Sequence, residues 1–342
     1  MDKISKYKLY LIINLSLFLI ISLFFYEYHD DYYYGSGLNY IVDDSKYYFN
    51  VSKEIYANLN IIIHGNIFGP IIFFEGISNG SRMVYFIINI LFLFYAFINI
   101  WKIFKPQVYR NLMLFLIIVN PVMAISLSGP NKEITAFIAV LFIINYILDR
   151  KYIYIIFALL FAFLARLELV LIIFGFLFFV KFNNNSKLIL FLILIVAISM
   201  VIANTFGYVD KLYTSFSGRE GSLGFVKFLA ELSLSGFYAI AFIPKVFINF
   251  YGELLSSNLF NLKGYSLIIY FSEVAFFCLS VLILLNHKVI YYRNYMFLFL
   301  LIYFLMYAIP PFIQHRYFLP IYPILIIIAL YRDVGSSNAV SK

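Results

Sequence analysis

The run YIYIIFALLFAFLARLELVLIIFGFLFFVK, residues 152–181, is almost wholly apolar, with Arg166 and Glu168 in its middle and Lys181 at its end. From Ile155 to Phe179 it holds 25 residues, and about 20 apolar residues in helical form cross a bilayer. Two readings are open. One is a single long helix with an internal Arg–Glu pair that serves structure only. The other is a turn at Ala165-Arg166-Leu167-Glu168 that joins two short helices at a membrane face. A charge near the middle of a span costs roughly 2.5 to 3.5 kcal/mol on insertion scales, so it usually faces a cavity or a protein surface. The turn avoids that cost.

The rest of the chain carries the same signature. Of 342 residues, 64% are hydrophobic and 12% are charged, and the mean hydropathy is +0.92. A water-soluble globule of this composition could not cover its own surface. The expected fold is therefore all-α: a polytopic integral membrane protein of about ten transmembrane helices, one per ~20 apolar residues plus loops. It forms a single transmembrane domain over residues 1–342. Spans are expected near 8–26, 83–101, 110–128, 132–148, 152–165, 168–181, 187–205, 265–286, 293–311 and 316–331. The first follows Lys3, Lys6 and Lys8 and lacks a small-residue cleavage site, so it reads as a retained signal anchor. The one cysteine, Cys278, excludes a disulfide framework and a cysteine metal site.

The net charge of +8 does not point to nucleic acid, because the basic residues fall in short clusters between apolar runs. With both termini in the cytoplasm, every inner turn is basic: Lys102, Lys105 and Arg110; Arg150 and Lys151; Lys181 and Lys187; Lys288 and Arg293; Arg332 and Lys342. That orientation places 14 Lys/Arg and 3 Asp/Glu inside, against 11 and 14 outside or near the outer ends of helices, as the positive-inside rule requires.

Two stretches then lie outside. The first outer loop, residues 27–82, contains Asp30-Asp31 and Asp43-Asp44 and continues into an apolar segment broken by His64, Gly65, Gly69 and Pro70. It reads as helices lying in the interface. The fourth outer loop, residues 206–264, carries Arg219 ahead of an aromatic amphipathic run and reads in the same way. Four further basic or titratable groups, Lys132, Arg166, His315 and Arg316, reach the same outer layer. In Ser128-Gly129-Pro130-Asn131-Lys132-Glu133, capping accounts for Asn131 and Glu133, but Lys132 opposes the helix dipole and is a candidate for an anionic ligand. Arg166 and Glu168 sit at the expected turn, and His315 and Arg316 precede the last span. Arg offers a bidentate fork for phosphate and Lys a point charge; the alternative is contact with lipid headgroups. Asp43 or Asp44 could serve as a general base toward an acceptor hydroxyl, with Asp30 and Asp31 as competitors and helix capping as the alternative role for the pair.

Taken in order, four passages resemble the GT-C superfamily of membrane glycosyltransferases and, less distinctly, the bacterial O-antigen and capsule repeat-unit polymerases. They are Asp43-Asp44-Ser45-Lys46-Tyr47-Tyr48 with the following Phe68-Gly69-Pro70; Asn120-Pro121 through Ser128 to Lys132-Glu133; Ala165-Arg166-Leu167-Glu168; and His315-Arg316-Tyr317-Phe318-Leu319-Pro320. The resemblance implies glycosyl transfer at the outer face of a bacterial cytoplasmic membrane, in cell-surface polysaccharide assembly. The donor would be a polyprenyl-phosphate or pyrophosphate-linked sugar, and the acceptor a glycan or another lipid-linked molecule. The resemblance makes Asp43 or Asp44 the base and puts Lys132, Arg166 and Arg316 on the phosphate side. In the polymerase version, Arg219 and Arg166 form the cationic pair. No resident cofactor follows from it, although the first-loop carboxylates admit a divalent cation. The chain departs from larger members in having no soluble C-terminal domain. A transporter or flippase for lipid-linked glycans would also need buried charges, but no internal repeat of the kind transporters show is present.

Overall fold

The computed structural model describes residues 68–101, 107–128, 132–181, 265–285, 295–307 and 315–330, with single positions between 9 and 23, at Tyr56, and between 198 and 254. Helix accounts for almost all of these residues, and no strand occurs among them. The all-α expectation holds.

A short helix, α1 (Phe68–Ile71), widens into a π-helix over Ile72–Ile77. The Ser78 hydroxyl donates to the Phe73 carbonyl at 3.0 Å, and Asn79 and Gly80 adopt left-handed backbone conformations. The chain then swings through 110° into α2 (Arg82–Trp101). Gly69 is required where α1 crosses the end of a later helix, because a Cβ there would lie 1.5 Å from the Leu164 carbonyl oxygen.

Residues 110–128 do not form the one expected span. They divide into α3 (Gln107–Val119) and α4 (Pro121–Ser128). Pro121 has no N–H to continue the first ladder, and proline is well suited to the first position of a new helix. Asn120 Oδ1 accepts the Val122 N–H at 3.1 Å, which caps α4.

At the centre stands α5 (Glu133–Asp149), in which every residue from Glu133 to Ile147 is buried. Its sequence is apolar on all sides, and such a helix is stable only when surrounded. It packs most closely on α6 (Tyr152–Ala165) and also on α2. Phe142 stacks on Phe157 and Phe161, with centroids 5.2 and 5.8 Å apart. The Asn145 amide donates to the Ala96 carbonyl at 3.2 Å. The helix ends on Arg150 in the left-handed conformation (φ 57°), whose N–H returns to the Tyr146 carbonyl.

Helix α6 stops at Arg166, and α7 (Leu167–Lys181) begins beyond it. Arg166 is extended (φ −159°, ψ 136°); its N–H closes α6 on Ala162, while its carbonyl accepts the Leu169 N–H that opens α7. Of the two readings of residues 152–181, the turn is the one observed. The chain reverses there: α9 (Tyr295–Tyr307) starts beneath Arg150, whose guanidinium lies 4.2 Å from the Tyr295 ring, and runs alongside α7 with Phe299 against Phe176.

Between them in sequence comes α8 (Tyr265–Leu285). The last expected span, 316–331, begins as a 3-10 helix, His315–Ile321, before α10 (Tyr322–Leu330); Pro320 within that segment is the local reason. The 3-10 segment packs on α5, and α10 packs on α8 and α3. The described positions between 9 and 23 are helical, with Phe18 buried against Phe94. Among the described residues no single helix is long and apolar enough to cross a membrane. One bent pair, Gly69–Ile77 with Arg82–Ala96, passes that test of length and composition together. Apart from Ile198, the expected span 187–205 lies outside the described residues.

Candidate functional site

The helix ends that meet at Arg166 bring together residues far apart in sequence. The guanidinium of Arg166, 8% exposed, donates from Nη2 to Glu133 Oε1 at 2.8 Å. It also stands over the Tyr317 ring, 3.9 Å from the centroid. Glu133 reaches it from the first turn of α5, where the backbone supplies no side-chain cap. Tyr317 belongs to the 3-10 segment and is braced from α9, since Tyr303 donates its hydroxyl to the Tyr317 carbonyl. Tyr307 stacks on Tyr303 at 4.5 Å and leans on Tyr317 at 5.8 Å. The result is a cation stacked on Tyr317, with Tyr303 and Tyr307 bracing that residue from α9. Burial works against its charge, but the oxygens of Tyr307 and Tyr317 and the Glu133 carboxylate outweigh burial and hold the guanidinium well above its ordinary value. Arg166 is a permanent cation at a protein-lined end of the bundle.

A second buried cluster lies along the same 3-10 segment. Ser272 Oγ donates to Asn120 Oδ1 at 3.2 Å and is 2.8 Å from His315 Nε2. His315 Nδ1 is 3.9 Å from Glu273 Oε1, and Glu273 Oε2 accepts the Leu254 N–H at 2.8 Å. All four side chains are at most 6% exposed. The ring of Phe276 stands edge-on to His315 at 4.9 Å. Behind Phe276 comes Phe250, stacked on Phe318 at 4.3 Å. Phe250 also lines an apolar groove of about 330 Å³, whose other walls include Phe247, Phe304 and Leu325. The polar atoms on its wall are joined to each other, the Tyr251 hydroxyl lying 2.6 Å from Ser280 Oγ.

The residues expected from sequence are partly assembled. Lys132, half-buried at the N-cap position of α5, adjoins Glu133, and Glu168 lies in the first turn of α7 within electrostatic reach of Tyr307. Arg166 and His315 are the hubs of the two clusters. Arg316 follows His315 in the 3-10 helix, between it and Tyr317. The carboxylate beside Arg166 is Glu133, 33 residues away, and not the Glu168 that would have paired with it in the single-long-helix alternative; Glu168 opens α7. Asp43, Asp44 and Arg219 lie outside the described residues, as does any cation site among the first-loop carboxylates.

Sequence reasoning passed over Glu133 as a binding partner, and over Ser272 and Glu273 altogether. The cost of a charge in an apolar helix, which drew attention to Arg166, applies equally to Glu273 and would have found it. Asn89 on α2, fully buried, was also missed; neither of its amide atoms has a hydrogen-bond partner among the described residues. Comparison with known proteins gives no match to any protein-family model, curated protein or solved structure.

Proposed function

We propose that the chain is a multi-pass protein of a bacterial cytoplasmic membrane that transfers a glycosyl group at the outer face. The donor is a polyprenyl-phosphate or pyrophosphate-linked sugar, the acceptor a glycan or lipid-linked molecule, and the setting cell-surface polysaccharide assembly. Support for the membrane comes from the outward faces of the helices. Ile153, Ile156, Leu160 and Phe163 on α6, and Leu167, Leu171, Phe174 and Phe178 on α7, recur at helical spacing and are each 46–61% exposed. Apolar faces of this extent are rare on water-soluble monomers, and lipid solvates them without cost.

The observation that carries the transfer reading is the Arg166 cluster. A permanently charged guanidinium, with Lys132 close by in the bundle end, suits the phosphate of an activated sugar, and tyrosine rings beside it suit the faces of a sugar. In the reaction, the carboxylate of Asp43 or Asp44 takes the proton of the acceptor hydroxyl. The acceptor oxygen bonds to the anomeric carbon as that carbon's bond to the phosphate oxygen breaks. The phosphate leaves with the electron pair, and Arg166, Lys132 and Arg316 meet its charge.

The test is transfer by the purified protein in lipid nanodiscs with lipid-linked sugar or oligosaccharide, comparing wild type with Asp43→Asn, Asp44→Asn and Arg166→Lys. Loss of product in one Asp variant, and a large fall in Arg166→Lys, are expected, since lysine keeps the charge but not the fork. Addition of one sugar identifies a transferase and addition of whole blocks a polymerase. Full activity in all three variants would remove this site assignment, and no transfer from any lipid-linked donor would remove the reading in favour of transport.

A further inference from the structure

We propose that His315 and Glu273 form a buried proton-binding site, in which an imidazolium on the 3-10 segment is held against a carboxylate on α8. The inference goes beyond the transfer reading and does not depend on it. It follows from the direction of each hydrogen bond in the cluster. Asn120 Oδ1 is fixed as an acceptor by the Val122 N–H, so the amide cannot be turned to present its NH2 to Ser272. Ser272 therefore donates its one proton to Asn120 Oδ1, and its oxygen can satisfy the 2.8 Å contact with His315 only by accepting from Nε2–H. That fixes the imidazole with a proton on Nε2 and turns Nδ1 toward Glu273 Oε1, 3.9 Å away.

A bare Nδ1 lone pair opposite a carboxylate would set two acceptors against each other in a site where His315 and Glu273 are 6% and 2% exposed. A second proton on the ring turns that repulsion into an ion pair. Glu273 Oε2 is already an acceptor, from Leu254 N–H, which favours the carboxylate over the acid. The charged and titratable groups on the elements around the segment are Lys132 at the N-cap of α5 with Glu133, Tyr146 and Asp149 of that helix, Tyr265, Tyr270, Glu273 and Cys278 of α8, Tyr295, Tyr303 and Tyr307 of α9, Tyr322 of α10, and Arg316 and Tyr317 of the segment itself; α4 contributes none. Tyr251 lies within electrostatic reach of Glu273. Of these groups Glu273 stands at ion-pair distance from the ring.

The site has a structural consequence. His315 opens the seven-residue segment that seats Tyr317 on Arg166, so the proton helps clamp that segment to α8. Loss of the proton removes the positive charge facing the Glu273 carboxylate.

The measurement is nitrogen NMR of the histidine rings in the full chain in lipid. The sequence has four histidines; replacing His29, His64 and His287 by Gln leaves His315 as the one signal. At pH 7.5 a free imidazole is deprotonated by about ten to one. His315 is expected to carry protons on both ring nitrogens at that pH, and to become neutral with the proton on Nε2 in Glu273→Gln. A neutral ring in the protein with Glu273 intact overturns the proposal, and that result needs no second variant. A charged ring that Glu273→Gln leaves charged overturns it equally.

Discussion

The Arg166–Glu133 pair can be tested by removing its members singly and together. Both side chains are almost fully buried, at 9% and 3% exposure, and 2.8 Å apart. Arg166→Met removes the cation 2.8 Å from the Glu133 carboxylate, and Glu133→Leu removes that carboxylate while the guanidinium keeps its stacking on Tyr317. Removing one member of a buried pair costs about 3–5 kcal/mol, because the other charge stays buried without compensation. The two losses should differ. Glu133→Leu keeps the stacking on Tyr317, whereas Arg166→Met also forfeits a desolvated cation–π contact of about 2 kcal/mol. The double variant removes both charges and replaces them with apolar volume, which in other buried pairs is near neutral. Its cost should be about that of the lost stacking, ~2 kcal/mol. The cycle then gives a coupling of several kcal/mol. Chemical denaturation of the four proteins in detergent micelles measures it. Single losses below about 1 kcal/mol, the range of exposed pairs, or a double loss equal to the sum of the singles, would refute the account of Arg166 as the pin of this bundle end.

The remaining tests address other joints. Gly69→Ala should destabilise by more than the ~1–3 kcal/mol usual for overpacking, since its Cβ meets the Leu164 backbone, whereas Gly76→Ala meets only the Tyr56 hydroxyl at 3.2 Å and should be far milder; equal melting points for the two would contradict the crossing of α1 and α6. Asn120→Ala removes the α4 cap and the acceptor for Ser272 together, and a loss of about 1–3 kcal/mol in the same denaturation assay is expected. Arg150 sits in a left-handed conformation that costs a non-glycine residue roughly 1–2 kcal/mol, against a cation–π contact on Tyr295 of about 0.5–1 kcal/mol at an accessible site. Arg150→Gly should therefore be near neutral or slightly stabilising and Arg150→Ala destabilising, and a greater loss with Gly than with Ala would count against that backbone assignment.

How much of this was legible in the sequence depends on the range of the interaction concerned. Local signals read well. The turn at Ala165-Arg166-Leu167-Glu168 follows from two charges in an apolar run, and the ends of α5, α6 and α7 fall within two residues of expectation. The division of 110–128 was also local, since Asn120-Pro121 is a cap followed by a residue without an N–H, but apolar length outweighed it in the reading. What the sequence could not supply is the choice of partner. Glu133 is 33 residues from Arg166 and Glu168 only two, so proximity along the chain favours the wrong carboxylate. On two helices meeting end to end, residues two apart across the turn diverge, while the buried N-terminus of α5 is delivered to the same place by packing. Ser272 meets Asn120 across 152 residues for the same reason. In an apolar chain each buried polar group must find a partner wherever packing puts one. The positions of the costly residues can thus be read from the sequence, and their pairing comes only from the way the helices pack.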